Sequence, residues 1–110
     1  TLGDQIRDFV FIDDAVDAMI KISISDLAIG ETLNIWRGTG VRIKDVVRLI
    51  LRCIQSESIP NFGVLPYRKK EEMCIVGDPS KLVDVFGWRC TTSLEEGIKM
   101  SIESFHQLDI

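Results

Sequence analysis

The sequence has no long hydrophobic run and no excess of basic residues, and these absences exclude several classes of protein. No apolar stretch approaches the ~18–20 residues that a membrane-spanning helix requires. The 13 Lys and Arg residues are outnumbered by 17 Asp and Glu, which gives a net charge of −4. Nucleic-acid recognition usually needs a basic face that displaces phosphate counterions. We therefore expect neither a membrane nor a nucleic acid as partner, and the cytoplasm is the default location.

Cysteine is sparse and follows no recognisable pattern. Cys53, Cys74 and Cys90 are odd in number, widely spaced and free of any Cys-x-x-Cys pair. This arrangement favours buried thiols in a reducing compartment over a disulfide framework or a zinc site. No metal site is expected.

The length and composition indicate one globular domain or part of one. A chain of 110 residues with 45% hydrophobic content buries roughly two thirds of its unfolded surface, which is enough for a modest core. The first residue is Thr1 rather than Met, and a strand pattern begins almost at once. We expect the chain to be a piece of a larger protein.

The opening run predicts a strand that leads into a helix. Apolar and aromatic residues dominate between Ile6 and Ile12, which is strand length, and Asp13 and Asp14 offer carboxylates to the free N–H groups of a helix start. Beyond them the apolar residues follow helical spacing, at Val16, Met19, Ile20 and Ile24. Arg7 stands beside this junction.

The middle of the chain predicts a second strand and an amphipathic helix. Residues 32–36 read as a strand, which the glycines of 38–40 interrupt. From Ile43 the apolar residues recur with helical spacing, at positions 43, 46, 47, 50 and 54. Lys44, Arg48 and Arg52 form a basic stripe on the other side, and such a stripe usually is the solvated face of a helix.

The last third predicts short elements joined by polar loops. Residues 59–65 suggest an edge strand or an irregular segment, 67–72 a polar loop and 73–76 an extended piece. Asp78-Pro79 favours a helix start, and Gly87 ends a helix of about two turns. Thr92 and Glu95 have capping-box spacing before a final helix. Its predicted inward residues are Leu94, Ile98, Ile102 and Phe105.

The order of these motifs resembles the extended short-chain dehydrogenase/reductase family, namely the NAD-dependent nucleotide-sugar epimerases and dehydratases. The resemblance begins with the Arg-Asp-aromatic strand and the following Asp-Asp-Ala-Val helix start, residues 7–18. It continues through Asn34-Ile35 with Gly38, Tyr67-Arg68 with Glu71, Asp78-Pro79-Ser80-Lys81, Gly87-Trp88 and Ser93-Leu94-Glu95-Glu96-Gly97. These motifs span nearly the whole chain but only the last third or so of such an enzyme.

The resemblance implies an α/β fold, comprising the C-terminal edge of a Rossmann-like sheet and a small substrate-binding lobe. Neither the Gly-rich turn that seats a dinucleotide nor the family's catalytic pair, Tyr and Lys four apart, is found. Gly38-Thr39-Gly40 lacks a third glycine, and Tyr67 precedes Lys70 by only three residues. We therefore expect the cofactor-binding domain, with NAD or NADP, to lie upstream of residue 1. The parent would be an isomerase, lyase or oxidoreductase, and residues 1–110 alone would not catalyse.

The candidate site residues are Arg7, Arg68 and Glu71. Arginine presents a planar set of donors that suits a diphosphate. By resemblance, Arg7 and Arg68 contact the diphosphate of a nucleotide sugar, and Glu71 accepts hydrogen bonds from the ribose hydroxyls. An alternative is that Arg7 merely pairs with Asp8 or Asp4, and that residues 68–70 are an ordinary solvated loop.

Two further expectations concern surfaces. A stand-alone ligand-binding or protein-interaction module, with the basic stripe as its contact surface, is the alternative to a part of an enzyme. If the chain lacks its neighbouring domain, exposed strand edges and apolar side chains should also cause self-association. The expected contact residues are Leu2, Ile6, Phe9, Phe11 and Trp36.

Overall fold

The opening run forms the central strand of a small mixed sheet. A computed structural model describes residues 1–108, and in that range β1 (Ile6–Asp8) lies between β2 (Gly40–Arg42) and β3 (Cys74–Ile75). It pairs antiparallel with β2, Arg7 opposite Val41, and parallel with β3, Arg7 opposite Ile75. The predicted α/β class is therefore confirmed.

Four α-helices follow the order that the sequence predicts. They are α1 (Ile12–Ser23), α2 (Ile43–Cys53), α3 (Ser80–Phe86) and α4 (Leu94–Gln107), with a short 3₁₀ helix at Asp26–Ala28. Gly87 ends α3 with a φ of 62°, a left-handed conformation that favours glycine. The helix from Ile43, the two-turn helix after Pro79 and the extended piece near Cys74 are all confirmed.

The predicted strands are too long. The first strand covers only residues 6–8, and residues 9–11 lie between it and the start of α1 at Ile12. Residues 32–36 form no strand. A strand exists only where its backbone N–H and C=O groups meet a neighbouring ladder. Within residues 1–108 the three paired strands leave 32–36 without such a neighbour.

The predicted helix caps are displaced. Phe11 occupies the cap position of α1, so Asp13 and Asp14 lie in its first turn rather than before it. The capping box of α4 consists of Ser93 and Glu96 instead of Thr92 and Glu95. The Glu96 N–H donates to Ser93 Oγ at 3.2 Å, and the Ser93 N–H to Glu96 Oε2 at 2.8 Å.

The core joins α1 to α3. Ala18, Leu82, Phe86 and Trp88 are buried together, and partly buried residues such as Ile22 and Leu33 pack around them. This cluster fixes the segment after α3 against α1. It leaves the opposite face of α1 uncovered, where Met19 is 59% and Ile24 81% exposed.

A second apolar region lies between α2 and α4. The helices border a groove of about 800 Å³, whose lining includes Val46, Ile50, Ile98 and Ile102. Phe105 also lines the groove but is 64% exposed, so its predicted inward position is wrong. The face of α4 is therefore only partly covered by the described residues.

The exposure of the cysteines, the grouping of possible metal ligands and the apolar character of the helices can be stated for the described residues. All three thiols are free, but Cys74 is exposed and not buried as predicted, because it lies in the edge strand β3. Within residues 1–108 no group of three or more His, Cys, Asp or Glu side chains could hold a metal ion. No helix in the same range has the length and apolar character to cross a membrane.

Candidate functional site

Strand β1 presents Arg7 and Asp8 to different surroundings. Successive side chains of a strand point to opposite faces of the sheet. Arg7 reaches the loop that precedes β3, whereas Asp8 reaches the loops that follow residues 36 and 76. The short strand β1 therefore directs the Arg7 and Asp8 side chains to different loops.

Arg7 and Glu71 form an ion pair. Arg7 Nη2 lies 2.7 Å from Glu71 Oε1, and Arg7 Nη1 donates to the carbonyl of Ile6 at 2.8 Å. The two side chains are 24% and 18% exposed, so the pair is partly shielded from water. Shielding strengthens such a pair relative to a surface salt bridge. Two of the three predicted site residues therefore contact each other.

The third candidate, Arg68, belongs to the same turn as Glu71. The Glu71 N–H donates to the Arg68 carbonyl at 3.1 Å, while the side chain of Arg68 is exposed. Tyr67 ties this loop to the start of the chain, because its hydroxyl accepts the Asp4 N–H at 3.1 Å. The loop of residues 67–72 is polar, as predicted, and it brings all three candidates to one region.

The alternative ion pairs expected for Arg7 do not form. Asp4 instead pairs with Lys44, with 2.5 Å between Oδ1 and Nζ, and the hydrogen bond from Lys44 lowers the pKa of Asp4. Asp8 binds backbone groups. The prediction that Arg7 pairs with Asp8 or Asp4 is therefore wrong.

Asp8 holds two loops together, a role that the sequence analysis missed. Its carboxylate accepts the backbone N–H groups of Arg37 at 3.0 Å, Gly38 at 2.8 Å and Gly77 at 3.4 Å. These donors follow Trp36 and Val76, which lie far apart in the sequence. The only local sequence feature at Asp8 is that it directly follows Arg7. That feature does not predict backbone donors so far away in the sequence.

The carboxylate of Asp14 likewise accepts hydrogen bonds from the segment that precedes α4. Its carboxylate accepts the Thr92 N–H at 3.0 Å and the Thr91 hydroxyl at 2.9 Å, and it is buried. Burial alone would raise the pKa of Asp14, but the hydrogen bonds from Thr92 and Thr91 outweigh it, and the pKa lies below its ordinary value. The carboxylate therefore stays charged in the fold.

The basic stripe on α2 is partly neutralised. Lys44 pairs with Asp4, and Arg48 Nη1 lies 3.1 Å from Asp45 Oδ1. Arg48 is 59% exposed and also lies over the ring of Phe62, 5.6 Å from its centroid. Exposed pairs of this kind contribute little energy. The stripe behaves mainly as the predicted solvated face.

The glycines of residues 38–40 do not fit a dinucleotide cradle. Gly40 belongs to β2, and Gly38 has a φ of 85° with its α-carbon against Pro79, where an added Cβ would meet Pro79 Cδ at 2.8 Å. Close packing against proline explains this glycine without a cofactor. A pyrophosphate seat needs a strand, a Gly-rich turn and a helix N-terminus in sequence, and residues 38–40 lead into a strand.

The chain matches a family model and several named proteins. The family model described as GDP-mannose 4,6 dehydratase matches residues 2–101. CDP-abequose synthase of Salmonella muenchen is 32% identical over 100 residues, which is 90% of this chain and 34% of that protein.

Two solved structures have closely similar folds. UDP-glucose 4-epimerase of Thermotoga maritima, solved with UDP-glucose, is 29% identical with a TM-score of 0.83 and covers 96% of this chain. UDP-glucuronic acid 4-epimerase of Bacillus cereus, solved with UDP-glucuronic acid and NAD, is 26% identical, also with a TM-score of 0.83 and 96% coverage. In each case the match takes up 33% of the solved chain. The chain thus spans about a third of the length of the proteins it matches.

Proposed function

Because the chain belongs to the family of NAD-dependent nucleotide-sugar epimerases and dehydratases, we propose that it is the C-terminal part of such an enzyme and binds the nucleotide sugar. These enzymes are extended short-chain dehydrogenases/reductases. In this proposal Arg7 and Arg68 contact the diphosphate, and Glu71 contacts the ribose. A cofactor-binding domain upstream of residue 1 transfers hydride between the sugar and NAD or NADP. The cytoplasmic location remains a prediction.

The observation that carries the proposal is the ion pair between Arg7 and Glu71. The pair holds the guanidinium in one orientation on the central strand and partly shields it. Arginine has more N–H donors than the two contacts to Glu71 and Ile6 require. The remaining donors are free to bind phosphate oxygens, and a guanidinium already oriented loses less entropy when it does so.

The same pair is compatible with a ribose contact at Glu71. Only Oε1 accepts from Arg7, and a carboxylate has a second oxygen with its own acceptor sites. Glu71 can therefore orient Arg7 and accept from a ribose hydroxyl at once. Arg68, exposed in the same turn as Glu71, supplies a second cation for the diphosphate.

The test is removal of each arginine in the full-length polypeptide. Arg68→Ala and Arg7→Ala should each weaken binding of a nucleoside diphosphate by about 1.5–3 kcal/mol, the range for hydrogen bonds to charged groups. Calorimetric titration with UDP, GDP, CDP and dTDP measures this loss and also identifies the preferred base.

Arg48→Ala is the matched control, because Arg48 is an exposed arginine whose side chain pairs with Asp45 outside the proposed site. Its affinity should equal that of the unchanged protein. If Arg7→Ala and Arg68→Ala left the affinity, KM and kcat unchanged, the proposal would be wrong.

Self-association of the chain remains a prediction, but its surface differs from the expected one. Of the five residues named from the sequence, only Leu2 is exposed, at 53%; Ile6, Phe9, Phe11 and Trp36 are half-buried. One group of exposed apolar residues lies on α1 and at its C-terminal end, where Ile12 and Ile20 join Met19 and Ile24. Light scattering over a range of concentrations should detect association, and a monomer at high concentration would contradict it.

A further inference from the structure

A second concave site lies away from the Arg7–Glu71 pair. It has a volume of about 310 Å³ and is lined by Arg37, Thr39, Pro79, Val83, Arg89 and Cys90. Ligand pockets usually start at about 300 Å³, so the cavity suits a small group rather than a whole nucleotide. Two arginines and a threonine, whose side chains carry hydrogen-bond donors, are among its lining residues.

The two arginines are not neutralised by ion pairs. Within residues 1–108, neither Arg37 nor Arg89 lies in a salt bridge with a carboxylate. Arg37 is half-buried, and its Nη1 donates to the carbonyl of Thr92, which is uncharged. Arg89 lines the cavity and is exposed.

The neighbouring acids are occupied by other donors. Asp8 binds the backbone N–H groups of two loops, and Asp14 binds Thr91 and Thr92. Glu96 accepts the Ser93 N–H in the capping box of α4. Their charge reduces the positive field but leaves the guanidinium donors of the cavity available.

The geometry points to a site for a phosphoryl dianion between Arg37 and Arg89. Arg37 is oriented by two contacts, its backbone N–H to Asp8 and its Nη1 to Thr92, so its remaining donors are held in place. Guanidinium pairs bind phosphate oxygens through charge-assisted hydrogen bonds, and the Thr39 hydroxyl adds a neutral donor. No motif in the sequence predicts a role for either arginine.

This site is separate from the proposed diphosphate site. The loop that carries Arg37 is bound by Asp8, whereas Arg7 points to the other face of β1 and binds Glu71. The two sites therefore have no arginine in common. Variants at Arg89 and at Arg68 test them independently.

The chain carries its own reporters for this site. Its two tryptophans, Trp36 and Trp88, directly precede Arg37 and Arg89. Titration with inorganic phosphate, at an ionic strength held constant with KCl, should change their fluorescence in a saturable way. Arg89→Ala should weaken this binding by roughly tenfold or more, which is the low end for a hydrogen bond to a charged group.

Arg52→Ala is the control, since Arg52 is an exposed arginine outside the cavity. It should retain the phosphate affinity of the unchanged chain. Arg89 is exposed, so its removal leaves the fold intact, and amide NMR spectra verify this. The proposal would be overturned if KCl alone reproduced the fluorescence change, or if Arg89→Ala bound phosphate as tightly as the unchanged chain. If only Arg68→Ala lost phosphate affinity, phosphate would bind at the proposed diphosphate site instead, which would also overturn it.

Discussion

Replacing Asp8 by alanine is expected to lower the free energy of unfolding by about 3 kcal/mol, because it leaves the partly buried N–H groups of Arg37 and Gly77 without an acceptor. The carboxylate binds the N–H groups of Arg37, Gly38 and Gly77, so its loss releases two loops at once. Asp8→Asn should cost less, since the amide oxygen still accepts. Urea unfolding followed by tryptophan fluorescence measures the difference.

Asp17→Ala is the matched control, because Asp17 is an exposed aspartate on α1. Surface substitutions of this kind usually change stability by less than about 0.5 kcal/mol. If Asp8→Ala were as mild as Asp17→Ala, the carboxylate would not hold the loops together.

Replacing Asp14 by asparagine is expected to cost about 1–3 kcal/mol at neutral pH and to change the response to acid. The folded pKa of Asp14 is lowered, so its stabilisation is present above the unfolded pKa of about 3.9 and is lost as the pH falls through the folded pKa. The unchanged protein should therefore lose stability as the pH falls from about 3.9 towards the folded pKa. Asp14→Asn should show a shallower dependence between that pH and the folded pKa.

Thr91→Val provides a graded version of the same test. It removes the hydroxyl that donates to Asp14 Oδ1 at 2.9 Å and should act in the same direction by a smaller amount. Thr32→Val, at an exposed threonine, is its control. Parallel pH profiles of Asp14→Asn and the unchanged protein would contradict the role of this carboxylate.

The helices were predictable because their signals are local. The apolar spacing after Ile43 lies within α2, and Pro79 and Gly87 directly flank α3. The strand predicted over residues 32–36 was wrong for the opposite reason. A strand depends on a neighbouring strand, which the local sequence does not specify. The class of fold was therefore accessible, and the extent of the sheet was not.

The capping box of α4 illustrates how tertiary contacts choose between equal local patterns. Thr92 with Glu95 and Ser93 with Glu96 have the same spacing. In the structure the Thr92 N–H binds Asp14 and its carbonyl binds Arg37, so Thr92 is held outside the helix. Ser93 is left as the cap. The selection comes from residues that are far away in the sequence.

The sequence pattern names the members of the proposed site but not their contacts, and their role in binding remains a prediction. The family pattern identified Arg7, Arg68 and Glu71, and the fold brings them to one region. The ion pair between Arg7 and Glu71 joins residues 64 positions apart, and no local rule indicates it. Asp8 and Asp14 were overlooked because their partners are backbone groups, which carry no mark in the sequence.

The most direct test of the central claim is a nucleoside diphosphate titration of the ¹⁵N-labelled chain, followed by amide and guanidinium chemical shifts. The account predicts saturable shifts at Arg7, Arg68 and Glu71 with at least one of UDP, GDP, CDP and dTDP. It also predicts that the amides along the groove between α2 and α4 stay unchanged. Shifts confined to that groove, with none at Arg7, Arg68 or Glu71, would contradict it.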